Sequence, residues 1–195
     1  MHDQFAFRPT GCTTAALVQL LHDISSMFEQ GNDYVRCLMI DYSKAFDTVN
    51  HLAILTELTT MNLHQSVFSW IADFLTERKQ AVKIGNQICD FLPITRSIVQ
   101  GSGLGPYLYI TLAKTLKTYS KANKLIKYAD DKSVLVPQHS DCTIEMEYQN
   151  IVNWFKNIKL NLNVKKTKEI IFWKNKQLLK NITFPRYVTS KELTQ

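Results

Sequence analysis

"IKYADDKSVLV", residues 126–136, sets two adjacent aspartates, Asp130 and Asp131, between apolar runs that each have the length of a strand. Two like charges side by side in apolar surroundings are costly unless something positive offsets them. The stretch reads as a β-hairpin whose tip is either ordinary polar turn chemistry or the holder of a cation. Upstream, "CLMIDYSKAFD" (37–47) puts Asp41 straight after an apolar segment over 35–40, where side chains leave the end of a sheet. An Asp at that point also commonly caps a following helix. If the two strands are neighbours, three carboxylates converge from distant parts of the chain. Oxygen-only ligands favour a hard ion, Mg²⁺ or Mn²⁺. Two such ions about 4 Å apart form the clamp used for in-line phosphoryl displacement.

The surrounding pattern alternates helices and strands. "TTAALVQLLHDISSMFEQG" places Ala16, Leu17, Leu20, Leu21, Ile24 and Phe28 on one helical face, with Thr13 or Thr14 as cap and Gly31 as stop. A second helix is expected from near Asn50 and a third over about 65–77, with Phe68, Ile71, Phe74 and Leu75 inward. Residues 81–94 read as a hairpin turning at Gly85-Asn86, and Pro106 opens a helix after a glycine-rich loop. Another amphipathic helix is expected over 142–158, capped by Ser140 or Asp141, then a strand over 169–173. These elements predict an α+β fold, with strands bracketed by helices on one face.

Composition is that of a globular chain: 195 residues, 45% hydrophobic and 21% charged. A net charge of +6 and a pI near 9.1 lean toward a polyanionic partner. Cys12, Cys37, Cys89 and Cys142 are widely spaced, with no CxxC, so neither a zinc site nor a disulfide framework is indicated. No apolar run approaches a membrane span, and "MHDQFAFRPTG" has no signal-peptide core, so an intracellular, reducing compartment is expected and no membrane partner.

"IDYSKAFDTVNH", "VQGSGLGP" and "KYADD", in that order, resemble motifs A, B and C of reverse transcriptases of the non-LTR (LINE-type) retrotransposons. "QFAFRPTGCTTAAL", "SWIADFLTERKQAVKIG" and "LNLNVKKTKEIIF" resemble further blocks of that group, so the likeness runs over about residues 4–173. The resemblance implies a polymerase palm, an α+β fold with an antiparallel sheet and helices packed on one face, with part of the fingers over 1–173 and a C-terminal tail over 174–195. Thumb, remaining fingers and endonuclease would lie elsewhere, in a longer polyprotein, or the chain is a decayed copy. It implies RNA-directed DNA synthesis from a primer 3′-hydroxyl, with two Mg²⁺ (or Mn²⁺) and with RNA template, DNA primer and dNTP as partners. Nuclear action follows from the resemblance alone. The alternative is an inactive retroelement remnant that folds and binds nucleic acid or a protein.

On residues, the resemblance implies that Asp41, Asp130 and Asp131 are catalytic and hold the metals, helped by the Tyr42 carbonyl. Phe46 matches the aromatic gate against a ribose 2′-hydroxyl; a plain core phenylalanine is the other reading. Gln100 and Gly101 match the loop beside the incoming nucleotide, and Lys166 the basic residue near its triphosphate; a glycine-rich turn and a solvated face are the alternatives. Arg8 matches an arginine of the FGFR-like block. The chain departs from the G-V/I-P-Q-G form of motif B at Ser97, Val99 and Gly103. Lys132 also stands where a small residue is usual, so its ammonium would compete with metal for the carboxylates.

Overall fold

A computed structural model describes residues 2–99 and 101–175 of the chain. Helix α1 (Thr13–Glu29) leads into strand β1 (Tyr34–Ile40), the short helix α2 (Ala45–Thr48), α3 (His51–Thr59) and α4 (Gln65–Leu75). Four short strands follow: β2 (Lys79–Gln80), β3 (Lys83–Ile84), β4 (Gln87–Ile88) and β5 (Leu92–Pro93). Then come α5 (Gly105–Ala113), β6 (Lys124–Tyr128), β7 (Asp131–Pro137), α6 (Ile144–Asn157) and β8 (Lys168–Trp173).

The central sheet is antiparallel in the order β6-β7-β1-β8. Its inner strand β1 carries apolar residues on both sides, because both faces are covered. Val35 and Cys37 point toward α1, where they pack with Ala16, Ile24 and Met27. Leu38 and Ile40 point the other way, into the cluster that holds Ile54, Leu108 and Ile151 from α3, α5 and α6. The α+β class and the antiparallel sheet are those expected from the sequence; α1 adds cover on the second face. Burial pushes the Cys37 thiol up to about 12, and all four cysteines are free.

Local chemistry shifts several boundaries. Cys12, not Thr13 or Thr14, caps α1, its Sγ accepting from the Ala15 N–H at 3.3 Å. Gly31 ends that helix with φ +95°, the left-handed position that glycine adopts without Cβ strain. Leu17 and Leu21, expected inward, are 55% and 51% exposed, since the buried stripe runs through Ala16, Ile24 and Met27. Thr143, rather than Ser140 or Asp141, caps α6, because Asp141 is bonded to the Ser120 hydroxyl instead. Asn50 caps α3 through Oδ1 and the Ala53 N–H at 3.1 Å. The 81–94 hairpin turns at Gly85-Asn86 as read, with Ile84 paired to Gln87. Among the described residues no helix is long and apolar enough to cross a membrane. Of the expected tail over 174–195, residues 176–195 lie outside the described residues.

Candidate active site

Strand register decides whether the aspartates meet. In the β6–β7 hairpin the last pair is Tyr128 with Asp131, leaving Ala129 and Asp130 as the loop. In the β1–β7 ladder the last pair is Ile40 with Lys132. One further step of that register sets Asp41 opposite Asp131, where paired residues share a face. The charges feel one another: burial first, then the carboxylates of Asp130 and Asp41, raise the Asp131 pKa above its ordinary value.

Asp41 is held from the other side by the segment that follows α6. The Asp41 N–H donates to Thr167 Oγ1 at 3.4 Å, and the Asn163 N–H donates to the Asp41 carbonyl at 2.9 Å. The Ser43 N–H reaches the Asn161 carbonyl at 2.9 Å, so Tyr42 and Leu162 form an isolated antiparallel bridge between these bonds. The Tyr42 N–H and C=O consequently point away from this segment, on the hairpin side of the strand. The Tyr42 side chain turns into the core, its ring 4.7 Å from that of Phe155.

The acidic trio suits a cation by chemistry but is not already closed around one. Asp41 Oδ2 is buried with no hydrogen-bond partner, an expensive arrangement unless a cation meets it. Among the described residues, no three His, Cys, Asp or Glu side chains are gathered around one point a metal ion can occupy. Asp130 and Asp131 are exposed, so their carboxylates have rotamer freedom to close such a site. The Lys132 ammonium is bound elsewhere, although its charge still acts on that of Asp131. The ammonium is buried (1% exposed), lies 4.1 Å from the Tyr42 ring centroid and donates to the Tyr109 hydroxyl at 3.2 Å. Burial drives its pKa well below the ordinary lysine value, Lys127 adds to that, and Asp130 and Asp131 pull against it.

The other expected site residues fall on three sides of this tip. Phe46, in α2, is half-buried with its ring 4.7 Å from that of Tyr109, and its carbonyl accepts from the Ile98 N–H at 2.8 Å. It thus leans on the core edge, just beyond Asp41. Gln100 lies outside the described residues. Gly101 is exposed with φ +84°, a conformation that strains any residue carrying a Cβ. The loop before it is docked where α2 passes into α3: the Ser97 N–H donates to the Val49 carbonyl at 2.9 Å, and His51 Nε2 is 2.7 Å from the Ser97 carbonyl. Lys166 is exposed in the turn between Asn163 and Thr167, the two residues that brace the Asp41 backbone.

Gly105 starts α5 against this loop, and a Cβ there would lie 2.8 Å from Ile98 Cγ2 and 3.2 Å from the Val99 carbonyl oxygen. Gly105→Ala is expected to cost about 1–3 kcal/mol by overpacking. A urea unfolding midpoint that does not move would show that the loop yields freely.

Sequence reasoning passed over several residues that shape the site. Asn163 and Thr167 brace Asp41. Lys127 is wholly buried, its ammonium 2.8 Å from Asp3 Oδ2 and donating to the Leu116 carbonyl at 2.9 Å. Gln4 is buried against the hairpin. One signal for the lysines was legible: Lys127 and Lys132 interrupt apolar strands, and they face each other in the ladder.

The reverse transcriptase (RNA-dependent DNA polymerase) family model matches residues 1–188. The chain belongs to that family. Its curated relatives include the "Probable RNA-directed DNA polymerase from transposon X-element" and the "RNA-directed DNA polymerase from mobile element jockey", both of Drosophila melanogaster. Each is 26% identical over 180 residues, covering 87% of this chain and 19% of the relative. The Pol polyprotein of the type-1 retrotransposable element R2 of Popillia japonica is 25% identical over 75% of this chain and 22% of its own length. The domain is thus a reverse transcriptase domain of the non-LTR retrotransposon group, spanning about a fifth of those relatives. Among solved structures, the telomerase of Candida tropicalis with a fragment of telomeric RNA superposes with a TM-score of 0.66 at 12% identity, over 87% of this chain and 30% of that one. The Candida albicans telomerase gives 0.63 at 13% identity over 94% of this chain and 32% of that one. At such identities the likeness is one of fold.

Proposed function

We propose that this domain carries out RNA-directed DNA synthesis, adding dNTPs to a DNA primer 3′-hydroxyl on an RNA template. Residues 1–173 would serve as the palm with part of the fingers. The observation that carries the reading is the register that sets Asp41 opposite Asp131 beside the Asp130 tip, with Asp41 Oδ2 buried and unpartnered.

In this reading Asp41, Asp130 and Asp131, with the Tyr42 carbonyl, hold two Mg²⁺ (or Mn²⁺). Such ions, when bound, favour the ionised primer hydroxyl and offset charge on the transferring phosphate. The chain's own part is positioning. Exposed Asp130 and Asp131 supply charge at the hairpin tip, while the Asn163–Thr167 segment holds the Asp41 backbone still. Phe46, leaning on Tyr109, presents an aromatic edge where the sugar of an incoming nucleotide would pass. Gln100 and Gly101 would lie along its base, and Lys166 near its triphosphate, as a point charge on an exposed turn. Template–primer affinity would rest on phosphate contacts by a chain of net charge +6 and fall as salt rises.

The test is primer extension on poly(rA)–oligo(dT) with Mg²⁺ or Mn²⁺, using the full-length element protein that contains this domain. Extension lost in Asp130→Ala, with duplex binding retained, supports the reading. A full-length protein that is folded and binds the duplex yet adds no nucleotide with either metal overturns it.

A further inference from the structure

The loop that carries Asp130 has an unusual backbone. Ala129 sits at φ +52°, a left-handed conformation disfavoured for a residue with a Cβ. A strained residue persists only where its surroundings over-determine it. Two side chains reach its backbone, one from outside the hairpin and one from β7 itself. Gln4 Oε1 accepts from the Ala129 N–H at 3.2 Å, and Lys132 Nζ lies 3.5 Å from the Ala129 carbonyl oxygen.

Gln4 is itself fixed from several directions. Its Oε1 also accepts from the Ala6 N–H at 2.9 Å. With two N–H groups meeting one oxygen, the amide has a single sensible orientation, since a flip would set donors against donors. Its own carbonyl accepts from Arg8 Nη1 at 3.0 Å. On either side the backbone is stitched to the outer edge of β6: the Phe5 N–H donates to the Lys127 carbonyl at 2.9 Å, and the Lys127 N–H to the Asp3 carbonyl at 2.7 Å. The Asp3–Lys127 ion pair adds a third link. Gln4 is 2% exposed, and its Nε2 is buried with no partner, a cost tolerated while Oε1 is so placed.

We propose that Gln4 is a positioning residue for the catalytic hairpin: its side-chain carbonyl pins the strained Ala129 amide and so sets where the Asp130 carboxylate stands. The proposal rests on Asp130 being catalytic. Gln4 touches no reacting atom and acts through Ala129 alone.

The test uses the full-length element protein with Gln4→Met, which keeps the side-chain length and removes the acceptor, and Gln4→Glu, which keeps it. Deuterium uptake by a peptide spanning 124–132 reports the Ala129 amide whether or not the protein polymerises. Gln4→Met is expected to speed uptake there and to lower kcat about ten- to a hundredfold, the scale on which small misplacements reduce rate. Template–primer Kd and the KM for dNTP should stay near wild type. Gln4→Glu should return uptake and kcat toward wild type. Unchanged uptake in Gln4→Met, or faster uptake with wild-type kcat per folded molecule, overturns the proposal. Should Gln4→Met not accumulate as folded protein, Gln4→Glu decides: wild-type uptake at the hairpin supports the proposal and fast uptake overturns it. Asp130→Ala separates the two ideas. If that variant still extends primers, the catalytic reading fails while the uptake result stands on its own.

Discussion

Asp41→Asn in the full-length protein is expected to abolish nearly all primer extension, a loss of about a thousandfold or more, and yet leave the fold as stable as before or more so. The first half follows from the proposed metal site: several kcal/mol of charge stabilisation are withdrawn, and each 1.36 kcal/mol is a factor of ten in rate. The second half follows from repulsion. Asp41 faces Asp131 across the register and helps to raise its pKa, and its buried Oδ2 has no hydrogen-bond partner. A neutral amide of the same shape removes the repulsion. A gain of up to about 1 kcal/mol without added metal is the scale expected where a site carries strain for function. Thermal unfolding in chelator, read beside single-nucleotide incorporation, checks both halves. Activity within threefold of wild type would overturn the role given to Asp41. A stability loss above about 2 kcal/mol would instead show its carboxylate to be structural.

The second large effect is one of stability. Glu147 on α6 is wholly buried, and its carboxylate accepts from the Tyr119 N–H at 2.9 and 3.0 Å, from Asn123 Nδ2 at 2.6 Å and from Asn150 Nδ2 at 3.3 Å. These bonds tie down the connection from α5 to β6, the same stretch in which the Leu116 carbonyl accepts from Lys127 Nζ. Glu147→Ala removes the shared acceptor of the Tyr119 N–H and of the buried Asn123 amide, leaving Asn123 Nδ2 with only the weaker Cys142 Sγ at 3.2 Å. Each unsatisfied group costs about 1–3 kcal/mol, and the lost bonds were to a charged acceptor. A destabilisation on the order of 4 kcal/mol is expected, a fall in Tm of roughly 10 °C for a domain of this size. Glu147→Gln keeps one acceptor oxygen and should lose about half as much. Urea unfolding measures both, with the slope against denaturant showing whether the unfolded state has changed. A loss below about 1 kcal/mol in Glu147→Ala would mean that water replaces the carboxylate.

Much of this architecture was legible along the chain, because the deciding signals are local. Hydrophobic periodicity marked α1, α4 and α6, Gly85-Asn86 marked its turn and Pro106 the start of α5. An apolar run ending in Asp41 and a hairpin carrying Asp130-Asp131 marked the strand ends. What failed were details in which one polar group chooses among nearby partners. Asp141 went to Ser120 and left Thr143 as the cap of α6. Lys132, expected to compete for the carboxylates, went to the faces of Tyr42 and Tyr109.

The sequence by itself determined the α+β class, the family likeness and which three aspartates are the candidates, since residue type and short-range spacing carry those. Only the tertiary structure decided that Asp41 stands opposite Asp131, for the pairing of β1 with β7 joins segments far apart in the chain and a shift of one residue would turn Asp41 to the other face. It alone brought Gln4 to the Ala129 amide, because the bond runs between positions 4 and 129, across a separation to which no local pattern is sensitive.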